Sequence, residues 1–99
     1  MGLDLDALPG GALVRAGLAA RARAEVTSAA LVVSLAATRL AALGVELADV
    51  GEDWPRETEL ALYLALCRDP SVDDAFARYN ALRRELDSFL AAAEHGTTP

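Results

Sequence analysis

Groups able to do covalent or proton-transfer chemistry are scarce in this chain, which has one His, His95, and one Cys, Cys67. A catalytic thiol needs a base within hydrogen-bond reach and a cationic neighbour that holds it as thiolate. Cys67 ends an apolar run, and Arg68, next in sequence, points elsewhere on a helix, so the thiol reads as a small hydrophobe. His95 precedes Gly96-Thr97-Thr98-Pro99 and reads as a solvated side chain at a fraying end. Metal binding has no better material. There is no Cys-x-x-Cys and no pair of histidines, and Glu94-His95 stands alone. Glu57 and Glu59 point to different sides of a helix, as do Asp73 and Asp74, so neither pair aims at one centre. Gly10-Gly11 lacks the Lys-Ser/Thr of a phosphate-binding loop. These residues predict no catalytic site, no metal and no cofactor.

Arginine is the remaining source of chemistry, since all nine basic residues are Arg. A helix, a short turn and a second helix carrying Arg78, Asn80, Arg83 and Arg84 give the outline of a helix-turn-helix. Its leading end, however, is Ser71-Val72-Asp73-Asp74, and carboxylates there oppose phosphates and base edges. Arg15, Arg21 and Arg23 form a second, weak basic group. A formal charge of −6 repels nucleic acid and anionic membrane alike. A small oligomeric nucleic-acid-binding adaptor or regulator is therefore the alternative function and not the leading one.

Around these residues the chain reads as one small all-α domain. Residues 1–11 are an arm in which Leu3, Leu5 and Leu8 alternate with Asp4 and Asp6 before Pro9-Gly10-Gly11. The acidic start is not that of a secretory signal, and one Cys excludes an internal disulfide. A first helix is expected over about 12–43, closed by Gly44 in a left-handed cap. From Val26 to Thr38 it has thirteen residues without charge, too few for the roughly 20 of a membrane span. The chain is expected to be cytoplasmic.

Within that helix Val26, Val33 and Leu40 recur every seven residues, with Ala22, Ala29 and Ala36 interleaved. Alanine at alternate core positions allows a second helix to come close. Leu31, Val32 and Leu35 make the opposite side apolar as well, a wider apolar circumference than a surface helix shows. A second helix is expected over about 55–68, started by Asp53-Trp54-Pro55. Its run Leu60-Ala61-Leu62-Tyr63-Leu64-Ala65-Leu66-Cys67 is helical rather than strand because Ala and Leu fill it and β-branched residues are absent. Asp69-Pro70 ends it, and Ser71 caps a third helix over about 71–95. Val72, Ala75, Tyr79, Leu82, Leu86, Phe89 and Ala93 form its inner seam, which Phe76 and Leu90 widen. Residues 96–99 are a tail.

Three helices with short connections predict an up-down bundle over 12–95. The first, about 45 Å long at 1.5 Å per residue, exceeds what the other two cover. The leading expectation follows: a non-enzymatic interaction module or accessory subunit that forms a helical homodimer through Ala22, Val26, Ala29, Val33, Ala36 and Leu40, and also binds a partner protein. Trp54 either closes the end of the bundle or anchors that partner.

Overall fold

The computed structural model describes residues 5–96, and among them the chain is all-helical with no strand. A short 3-10 turn, Leu5–Ala7, leads into α1 (Gly11–Ala22). Then follow α2 (Ser28–Leu35), α3 (Ala37–Ala42), α4 (Thr58–Arg68) and α5 (Ala75–Gly96). Leu3 and Asp4 of the expected arm, and Thr97-Thr98-Pro99 of the expected tail, lie outside the described residues.

The expected single helix over 12–43 is three helices, and the residues that divide it are specific. Ala24 takes the left-handed conformation at φ 55°. Its N–H reaches Arg21 O at 2.9 Å, and the Glu25 N–H reaches Ala20 O at 2.9 Å. Those two bonds make a Schellman ending with alanine where glycine is usual. Thr27 then starts α2, its Oγ1 accepting from the Ala30 N–H at 3.1 Å. A second, slighter interruption falls at Ala36, with φ −111° and ψ 22°, and α3 continues beyond it. At the far end Gly44 closes α3 as expected, at φ +86° with Val45 N–H bonded to Leu40 O at 2.9 Å.

The division lets α1 fold back on α2. A Cβ at Gly17 would stand 2.4 Å from Ala29 O and 2.6 Å from Val33 Cγ1, so only glycine allows this crossing. The close helix approach implied by the alanine spacing thus occurs within one chain. It also removes the argument from length: α2 is the central helix, with α1, α4 and α5 packed around it. Ala30, Leu31, Val32 and Val33 are each 0% exposed, so α2 is apolar all round because its own chain covers it. Val14 of α1, Leu40 of α3, Leu62 and Leu66 of α4, and Leu86, Phe89 and Leu90 of α5 complete one core.

The later helices begin after their expected starts. Pro55 lies outside α4, because Trp54 packs on the core and under the Arg21 guanidinium, 5.3 Å from its ring centre. Glu57, at φ −90° and ψ 79°, is still outside the helix, which begins at Thr58. Arg21 also donates to Ser34 Oγ at 2.7 Å and Ala48 O at 2.9 Å, pinning the connector after α3 to α1 and α2. Ser71 does not cap α5. Instead its own N–H and hydroxyl donate to Asp69 Oδ1, at 2.9 and 2.7 Å. Asp74 is the cap, accepting from the Ala77 N–H at 3.1 Å. Arg39 of α3 holds Glu94 near the end of α5 in a bidentate pair, Nε donating to Oε2 at 3.0 Å and Nη2 to Oε1.

Candidate interaction surface

Eight successive apolar residues on α4 leave no polar side for water. Leu62 and Leu66 face the core at 0% and 2% exposure. On the opposite side Leu60, Tyr63, Leu64 and Cys67 recur at intervals of three and four and make an outward strip. Leu60 is 51% exposed and Leu64 40%. Short local connections place α5 antiparallel beside this strip, where Tyr63 and Tyr79 meet edge to face at 6.4 Å. Phe76, one turn before Tyr79, is 65% exposed. Among the described residues, the clearly exposed large apolar side chains lie on α4 and α5 except for Val26.

Polar groups rim the patch on the α5 side. Arg83 donates to Tyr79 Oη at 3.0 Å and comes within 3.8 Å of Glu59 on α4. A groove of about 660 Å³ runs along α5 between Phe76, Asn80, Arg84 and Asp87. Cys67, one turn beyond Tyr63, raises the phenol's pKa above its ordinary value through unfavourable charge and their hydrogen bond. His95 is remote from that thiol. It lies about 24 Å along α5 from Tyr79 at 1.5 Å per residue, so these two reactive groups do not meet. Among the described residues no cluster of three or more His, Cys, Asp or Glu is placed to hold a metal ion.

The residues expected to form the seam do not share a surface. Val33, Ala36 and Leu40 are core, at 0%, 5% and 0% exposure. Ala29 is half-buried against Gly17, whereas Ala22 ends α1 exposed and Val26 projects from the α1–α2 connection, 51% exposed. Trp54 is half-buried beneath Arg21. The arginines in and just after α1 all have partners: Arg15 pairs with Asp6 at 2.7 Å, Arg23 with Glu25 at 2.7 Å, and Arg21 with Trp54 and Ser34.

Sequence reasoning assigned Leu60, Tyr63 and Leu64 no binding role and placed Phe76 in the inner seam of the third helix, whereas Phe76 is 65% exposed because it turns to the outer side of α5. The signal was present in the unbroken run of α4, which is apolar on both sides of a helix only eleven residues long. No helix among the described residues is long and apolar enough to cross a membrane. Comparison with protein-family models, with curated proteins and with solved structures gave no match.

Proposed function

We propose that this chain is a non-enzymatic protein-interaction module, a small cytoplasmic accessory subunit that works by binding protein chains, its own copies among them, through the α4–α5 face. The observation that carries the reading is α4 itself. Its inner side fills the core, while Leu60 and Leu64 on its outer side meet solvent beside Tyr63 and Phe76. The largest apolar patch on a monomeric domain, typically about 300–600 Å², is often its contact site. The homodimer expected from the helical seam belongs to this reading, moved to α4–α5 because the chain's own core takes Val33, Ala36 and Leu40.

The test is a Leu60→Glu/Leu64→Glu variant, whose new carboxylates stay solvated in the free chain but not in a contact. The variant should keep its circular dichroism and thermal transition and lose protein binding. Wild-type chain that binds neither its own copies nor any other protein through this face would overturn the reading.

A further inference from the structure

We infer that the occupant of the α4–α5 face is a second copy of this chain, with the two α4 helices packed antiparallel about a two-fold axis near Tyr63. This rests on the proposal that the face binds protein, and it adds the partner and its orientation. Charge decides the orientation. Glu57, immediately before α4, and Arg68, at its last residue, are eleven positions apart and therefore share one flank of the helix. An antiparallel pair sets Glu57 of each copy opposite Arg68 of the other, twice over. A parallel pair carries these residues to opposite flanks with like charges at the same height, so no Glu57 meets an Arg68.

The mixed charge of the rim and the helical architecture agree with a second copy. Leu60, Tyr63, Leu64 and Phe76 leave exposed roughly 400 Å², about half of the ~800 Å² per partner that a standard complex buries. A two-fold contact brings flanking residues of α4 and α5 into the interface, and these supply the rest. The rim has no single sign, since Arg83 and Arg84 lie among Glu59 and Asp87, so a strongly charged partner gains little there. A self-complementary surface is what a two-fold contact requires. Because α5 lies on the same side of each α4, two α4–α5 hairpins joined in this way make an antiparallel four-helix bundle. Its interior would take up Tyr63 and Phe76.

Sedimentation equilibrium of the full chain over a concentration series tests the partner. Dimers are expected, weakened at least about 30-fold by Leu64→Glu. Glu57→Arg and Arg68→Glu should each weaken them about threefold to tenfold, and the double exchange should recover most of the loss. Orientation is read at Cys67. In the antiparallel pair the two Cys67 Cα atoms are separated by about 12 Å along the axis and 8–10 Å across it, beyond disulfide reach. Mild oxidation of the dimer should therefore yield no rapid cross-link. Rapid Cys67–Cys67 disulfide formation overturns the antiparallel arrangement, as does a double charge exchange that recovers nothing. Dimers indifferent to Leu64→Glu overturn the face. A monomeric chain that binds a different protein through Leu60 and Leu64 overturns the second copy and leaves the module reading intact. A monomeric chain that binds no protein overturns both.

Discussion

Replacing Gly17 by Ala distinguishes a folded-back α1–α2 pair from one long helix, because the two arrangements predict opposite signs. In an exposed helix interior, Gly→Ala stabilises by about 1 kcal/mol through lower backbone entropy in the unfolded chain. In the folded-back pair the new methyl meets Ala29 O at 2.4 Å and Val33 Cγ1 at 2.6 Å, with Val33 Cγ2 at 2.9 Å. One of these is backbone, which no rotamer change relieves, so α1 and α2 must separate at their closest point. Overpacking of this kind costs about 1–3 kcal/mol, and the rigid neighbour places this site towards the upper end. After the propensity gain the net loss is about 1–2 kcal/mol. For a domain of this size that is a Tm lower by about 4–15 °C, read by circular dichroism at 222 nm. A Tm that is unchanged or raised would refute the crossing and restore the continuous helix.

The left-handed Ala24 gives a second test: Ala24→Gly should stabilise by about 0.5–1 kcal/mol in urea denaturation, since glycine adopts φ 55° without the alanine penalty. Arg21→Ala should destabilise by about 1–3 kcal/mol through loss of the Ser34 and Ala48 hydrogen bonds and the Trp54 stack. It should also shift the emission of the single Trp to the red, whereas unaltered fluorescence would show that Arg21 does not hold the connector. Acid should release the α3–α5 clamp. Hydrogen bonding by Arg39 holds the Glu94 carboxyl below its ordinary pKa, and Ser71 does the same for Asp69. A depressed folded pKa contributes stability that is complete above the unfolded value and is lost as pH falls through the folded one. The stability difference between wild type and Glu94→Gln should accordingly be present at neutral pH and shrink as pH falls below the carboxylate range.

Helical class, the Gly44 ending and most of the α5 seam were legible in the sequence because they rest on spacing and on glycine, signals local to a few residues. The break at Ala24 was not, since alanine favours helix and takes the left-handed position here only because Thr27 restarts the chain and Gly17 rewards the return of α1. Thr27-Ser28 was the available cue; with alanine rather than an acid three positions after the cap, it lacked the second half of a capping box. The seam through Val33, Ala36 and Leu40 correctly marked buried residues, but periodicity states that a face is covered and not by which chain. The same limit hid the patch on α4. An apolar run twice as wide as one core requires reads as deep burial until the structure shows that only its Leu62–Leu66 side is covered.

The accessibility of the Cys67 thiol tests the association face most directly, because this single exposed cysteine lies on the outward strip of α4. Its alkylation rate should fall progressively as protein concentration rises through the micromolar range, and the concentration dependence should vanish in Leu64→Glu. A rate that is the same at every concentration, in wild type and variant alike, would contradict the assignment of this face to a protein contact between copies.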